Sequence, residues 1–279
     1  MALSTISLTS GMRANLFSLQ KTSLDMEVTQ KRLSTGLKVN SALDDPINFF
    51  TAQEHKMRAS DLASRKDGMS EAIQTIKAAN VGIEGINNLI AQAKSLAQSA
   101  LSAGSTDALA FGTQFGEVLS QINEMAEDSG YKGINLLQSG ELTIEFAPSA
   151  GDATLKLVGF GGTDTQFTTI GASVTSTDWV SGTDISTAVI QSAIDGLETA
   201  MGDLRTESKK LSSNLSIITA REDFTSNMTN TLKDGAAKLT EADMNEEGAN
   251  MLMLQTRQAL GTTSLSMASQ AAQSVLRLF

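Results

Sequence analysis

Few residues in this chain are of the types that carry out chemistry. His55 is the single histidine, and cysteine is absent. A zinc peptidase helix needs two histidines and a glutamate in the spacing HExxH, which one histidine cannot supply. Without cysteine there is no thiol nucleophile, no zinc–thiolate site and no disulfide. The nearest carboxylate pair is Asp44 and Asp45, placed directly before Pro46. An aspartate followed by proline reads first as a helix N-cap with proline in the first turn, and only second as a cation site. Glu246 and Glu247 open a nearly uncharged stretch, where a helix macrodipole favours anions. Glycines 159, 161 and 162 surround Phe160, but no Lys-Ser/Thr follows to make a phosphate loop. Asn214 and Asn227 spell glycosylation sequons inside a helical pattern, while the Ser/Thr-rich segment 163–187 is the better candidate for O-linked sugars. No catalytic, cofactor or metal site is expected, and the chain does not read as an enzyme.

The elements that hold these residues are mostly helical. Only two prolines occur in 279 residues, which permits long uninterrupted helices. Hydrophobic residues make up 41% and aromatics only 4%, so any core is built from Ala, Leu, Ile and Met. The net charge of −10 gives no basic surface for nucleic acid. No apolar run approaches the roughly 18 residues of a membrane span. The first residues, MALSTISLTSGMRANLF, lack the charged and apolar regions of a secretory signal. Secretion, if it occurs, is expected without a cleaved signal peptide.

The spacing predicts a first helix over about 3–37. Its seam is expected at Met12, Leu16, Leu19, Ser23, Met26, Gln30, Leu33 and Leu37, in alternating steps of three and four. Leu24 and Val28 add apolar surface beside it, and Gly36 stops it. A second helix is predicted from Pro46 to about 102, with Gly82 and Gly85 weakening it by roughly 1 kcal/mol each relative to alanine. A third is expected over about 106–127. Residues 141–146 and 153–158 alternate polar and apolar around the turn composition of 148–152, which reads as a β-hairpin. Segment 159–187 is expected to be a short loop-rich or β outer patch. Helix resumes near Ser186, with Ile190, Ile194, Leu197, Met201 and Leu204 in register, and runs to about 239.

The carboxyl-terminal segment is the most informative. Met251, Leu254, Gln258, Gly261, Leu265, Ala268, Ala272, Val275 and Phe279 form an unbroken heptad series. Leu252, Leu260, Met267, Ala271, Leu276 and Leu278 make the other side apolar too, and from 248 to 279 the only charged side chains are Arg257 and Arg277. A helix apolar around most of its circumference must be surrounded. One amino-terminal helix cannot do that, so other copies of the chain are expected to. The fold class that follows is mainly α: an elongated antiparallel helical bundle or coiled coil with terminal helices paired, plus a small β-hairpin-containing segment. Leu16, Leu19, Met26, Leu33, Met251, Leu254, Leu265, Ala268, Ala272, Val275 and Phe279 are the expected self-assembly residues.

These residues also carry a resemblance. Arg32 through Asp45, RLSTGLKVNSALDD, closely resembles the amino-terminal signature of bacterial flagellins, as does AANVGIEGINN at 78–88. ADM at 242–244, Gly261-Thr262 and QAAQSVL at 270–276 resemble the flagellin carboxyl-terminal helix. GINLL at 133–137 followed by LTIEF at 142–146 is similar to the family's approach to its β-hairpin. The resemblance covers about 1–159 and 188–279. It implies an inner coiled-coil domain from 1–45 and 240–279, a helical rod with β-hairpin from 46–159 and 188–239, and a short variable surface-exposed segment at 160–187. It further implies polymerisation into the flagellar filament for swimming, after export through the flagellum's own secretion channel. The implied partners are other copies of the chain, a filament cap protein, a hook–filament junction protein and an export chaperone on the last helix. A junction protein is the alternative reading, since it shares similar terminal helices. Two departures stand out. Ala272 occupies a position where the family often has proline. In IAQAKSLA at 90–97, Gln92 and Ser95 fall where receptor-activating flagellins carry an arginine and a glutamate, which implies weak innate-immune receptor recognition.

Overall fold

A computed structural model of the chain describes residues 10–147, 153–160, 179–181 and 184–276. Five long helices and two small antiparallel sheets are seen among the described residues. They are α1 (Ser10–Thr35), α2 (Pro46–Ser102), α3 (Ser105–Asp128), β1 (Glu141–Glu145), β2 (Thr154–Val158), β3 (Val180–Ser181), β4 (Asp184–Ile185), α4 (Thr187–Thr240) and α5 (Met244–Leu276). The fold is mainly α, with the terminal helices paired and a small β-hairpin, as the hydrophobic spacing predicts. Residues 1–9, the hairpin tip at 148–152, most of segment 159–187 and the last residues, 277–279, lie outside the described part, and with them the candidate glycan patch.

Helix ends follow from local chemistry. Gly36 adopts φ +70, a conformation that L side chains rarely take, and its N–H closes α1 on the Arg32 carbonyl at 2.8 Å. Asp45 caps α2: its Oδ1 accepts from the Asn48 N–H at 3.1 Å, and its Oδ2 from the Asn48 side-chain amide at 2.6 Å. Asp243 caps α5 in the same way, accepting from the backbone N–H groups of Asn245 and Glu246. Glu246 and Glu247 then lie in its first turn. Proline at the start of α2 has no N–H to leave unsatisfied.

The chain divides into two compact units, Met1–Met57 with Thr231–Phe279, and Arg58–Asn230. In the second unit, α2, α3 and α4 enclose a core that is aliphatic and alanine-rich. Ile76, Ile86, Ile90, Ala93, Ala97, Phe115, Ile122, Ile190 and Leu204 are fully buried. Trp179 is buried there too, its ring centroid 4.8 Å from that of Phe115. Gly82 and Gly85 leave no room for a Cβ against Ser129, Leu137 and Met125, so their intrinsic cost is offset by close packing of the α3 end on α2. After α3, Tyr131 and Ile134 exchange backbone hydrogen bonds across Lys132 (φ 48) and Gly133 (φ 82), a two-residue turn with both central φ values positive. Asn135 donates its amide to the Ala126 and Glu127 carbonyls and fastens this turn to the helix end. The hairpin pairs Glu141 with Val158 through Glu145 with Thr154 and turns Ile144 and Leu157 into the core.

Candidate functional site

The site to be explained is a surface, formed in the first unit by α1, α5 and the start of α2. The two terminal helices run antiparallel. Asn15 donates its side-chain amide to the Ser264 hydroxyl at 3.0 Å, and Arg32 pairs with Glu247 at 2.9 Å. Beyond Gly36 the chain is stitched to the end of α4. Lys38 and Val39 N–H groups donate to the Thr240 carbonyl, and Ala242 N–H donates to the Gly36 carbonyl.

Burial along α1 locates the seam. Met12, Thr22 and Thr29 are buried, and Asn15, Leu19, Met26 and Leu33 are half-buried. The series 12, 15, 19, 22, 26, 29, 33 keeps the expected heptad but takes the other phase between its apolar positions. Leu16, Ser23 and Gln30, expected in the seam, are exposed instead. Hydrophobic spacing points to Leu16, and polar Asn15 carries no such signal. Asn15 is accepted because Ser264 receives its N–H, and Thr22 because its hydroxyl donates to the Ser18 carbonyl at 2.9 Å.

On α5 the expected series faces inward from Met251 to Ala268. Glu247 and Leu254 are buried, and Met251, Gln258, Gly261, Leu265 and Ala268 are half-buried. Gly261 packs directly on Leu19. A Cβ there would meet Leu19 Cδ2 at 2.6 Å. The side chains of Ala272 and Val275, and the whole of Phe279, lie outside the described residues.

The seam buries one flank of each helix and leaves the other apolar. Leu16 is 40% exposed, Phe17 71%, Leu24 62% and Val28 49% on α1, while α5 shows Leu252 at 67% and Leu260 at 67%. Met253 and Met267 are exposed on α5 as well. Leu24, Val28, Leu252, Leu260 and Met267 are the apolar flanks expected from sequence; Phe17 and Met253 were missed. A second apolar stripe was missed altogether: Leu43, Ile47, Phe50 and Met57, all exposed, run down the loop and first turns of α2. Their spacing of four, three and seven is the signal that could have found them. Exposed apolar stripes of this kind mark protein–protein contact more often than chance surface.

The candidate chemical residues take structural places. His55 is half-buried, and a methyl on Gly235 of α4 would lie in ordinary contact with its ring. Among the described residues no group of three or more His, Asp or Glu side chains is placed to hold a metal ion, and no helix is long and apolar enough to cross a membrane. The Asp44 carboxylate accepts from the N–H groups of Asn40 and Ser41, which hold its pKa below the usual carboxylate value. It is a loop staple. Both sequon asparagines lie within α4.

Comparison with known proteins decides the lineage. A sequence model of the bacterial flagellin N-terminal helical region matches residues 4–141, and one of the bacterial flagellin C-terminal helical region matches residues 189–279. The chain belongs to the bacterial flagellin family. It is 30% identical to the flagellin FljM of Caulobacter vibrioides, with all of both chains covered, and 27% identical to a flagellin of Brucella melitensis over 95% of each. These relatives are of similar length to this chain. The solved structure of Bacillus cereus flagellin aligns with 57% of this chain and 88% of its own, at TM-score 0.44 and 17% identity.

Proposed function

We propose that this flagellin is a structural subunit that polymerises into the helical flagellar filament, and that the outward flanks of α1 and α5 are the surface on which copies meet. One observation carries the reading. After α1 and α5 pack together, Phe17, Leu24, Leu252 and Leu260 are still at least 62% exposed. Burying one such side chain is worth about 1.5–3 kcal/mol, and a lone molecule leaves that contribution unused. Neighbouring copies supply the missing contact. The same logic favours nucleated growth, since ordering each residue of a terminal helix costs roughly 1–2 kcal/mol and only several neighbours together offset it.

In this reading 1–45 with 240–279 form the inner terminal domain, 46–159 with 188–239 the rod, and 160–187 the short surface segment. The subunit works outside the cell, reached through the flagellar export channel. Its role is structural and not catalytic. An export chaperone, a cap and a junction protein are its further partners. Leu265→Asp, or deletion of 275–279, abolishes polymerisation while the unit 58–230 stays folded. Electron microscopy of salted-out protein with circular dichroism of the same sample checks both halves. Normal filaments from either variant would overturn the scheme, and short rings from the unaltered protein would point to a junction protein.

Gln92 and Ser95 are exposed and uncharged on α2, with the half-buried Lys94 between them paired to Glu198. This face offers a receptor neither the arginine nor the glutamate of activating flagellins. Weak potency in an innate-immune reporter-cell assay is expected, and full potency would refute it.

A further inference from the structure

With no cysteine in the chain, the methionine thioethers are its most readily oxidised side chains. The twelve methionines are not equivalent. Met69 is fully buried and Met12 is 9% exposed, whereas Met57, Met244, Met253 and Met267 are between 49% and 60% exposed. Two of these four occupy a special place. Met253, Leu260 and Met267 recur every seven residues along α5 and form one outward stripe beside the seam that faces α1.

From this placement we infer that Met253 and Met267 are oxidation sites of the unassembled chain, and that their sulfoxides block the stripe from joining another copy. The inference rests on the proposed role of this stripe in self-assembly. The chemistry needs a two-electron oxidant such as hydrogen peroxide. A sulfur lone pair attacks one peroxide oxygen, the O–O bond breaks and an S–O bond forms. Sulfur is oxidised by two electrons, and the second oxygen leaves as water after proton transfer. The product replaces a soft apolar tip with a strong acceptor. Two exposed sulfoxides are well hydrated. Buried against the apolar flank of another copy, each sulfoxide oxygen would exchange its water for a surface short of donors. Oxidation therefore favours the free subunit, and a polymer that covers the stripe protects it.

The test treats purified full-length chain with hydrogen peroxide, before and after polymerisation, and maps oxygen incorporation by peptide mass spectrometry. Met57, Met244, Met253 and Met267 should gain oxygen ahead of Met12 and Met69 in the free chain, and Met253 and Met267 should be protected in the polymer. The concentration at which the oxidised chain polymerises should rise several-fold. The double variant Met253→Leu with Met267→Leu keeps the stripe apolar but removes the sulfur, and peroxide should not raise the concentration at which it polymerises above its own untreated value. The variant Met244→Leu should be inhibited as the unaltered chain is. Oxidised chain that assembles at the untreated concentration overturns the inference, as does equal inhibition of the stripe variant and Met244→Leu. If the stripe variant fails to assemble untreated, methionine sulfoxide reductase acting on oxidised unaltered chain decides: restored assembly supports the inference, and no restoration overturns it. Untreated, unaltered chain that never polymerises would instead sink the assembly reading beneath it.

Discussion

Gly261 gives Leu19 its place in the seam, because any side chain there would press on the leucine's branched end. Gly261→Val should destabilise the α1–α5 pair by about 1–3 kcal/mol, the usual cost of overpacking. Leu19→Ala in the same chain should return part of that loss, and a double-mutant cycle on thermal melts reads the coupling. The charged residues make a separate, pH-dependent case. The Asn40 and Ser41 N–H groups lower the Asp44 pKa, and its bond to Lys132 lowers that of Glu71. A lowered folded pKa means that each carboxylate stabilises the fold above its unfolded pKa and loses that contribution as pH falls through the folded one. The same pair raises the Lys132 pKa, so its contribution fades at alkaline pH as the ammonium deprotonates. Asp44→Asn should therefore flatten part of the acid limb of a stability–pH profile and leave neutral-to-alkaline differences constant. An unchanged acid limb would remove Asp44 from that role. Both carboxylates are exposed to solvent, so these effects are small.

At the scale of elements, boundaries were legible where a single residue type dictates the backbone. Gly36, Asp45 with Pro46, and the alternation around the hairpin placed helix ends and strands to within a residue or two of where they stand. The seam of α1 was legible in period but not in phase. Periodicity reports where apolar residues recur, whereas the seam selects whichever side chains can satisfy their polar atoms while packing small. Thr22 does so through its own helix backbone and Asn15 through a residue 249 positions away, a partner that no local pattern reveals. The cap of α2 makes a quantitative case. Asp45→Ala should cost about 1 kcal/mol by freeing the Asn48 N–H, visible as a lowered melting temperature. Asp45→Ser should recover most of it. Equal losses from alanine and serine would show that the carboxylate acts in some way other than capping.

For the whole molecule, the proposed assembly surface shows in the sequence as a shortage of charge. Between 248 and 279 only two side chains are charged, and the apolar residues spread over more of the helix than its one partner helix covers. The structure adds which flank the chain itself covers, and so which residues remain for neighbours. It also adds the stripe from Leu43 to Met57, hidden in the sequence because Asp44, Asp45 and Glu54 interleave it. Leu16 and Leu260 are the useful probes, since both are exposed and lie off the buried series of their helices. A charge at a seam residue such as Leu265 breaks the pair and the polymer together. A charge at Leu260 separates the two. Seeded growth of Leu260→Asp beside the unaltered chain, followed by sedimentation, is thus the most direct measurement. The unaltered chain should move into fast-sedimenting polymer while the variant, with unchanged helix content, stays in the supernatant. Equal incorporation of both would contradict the claim that this flank is where copies meet.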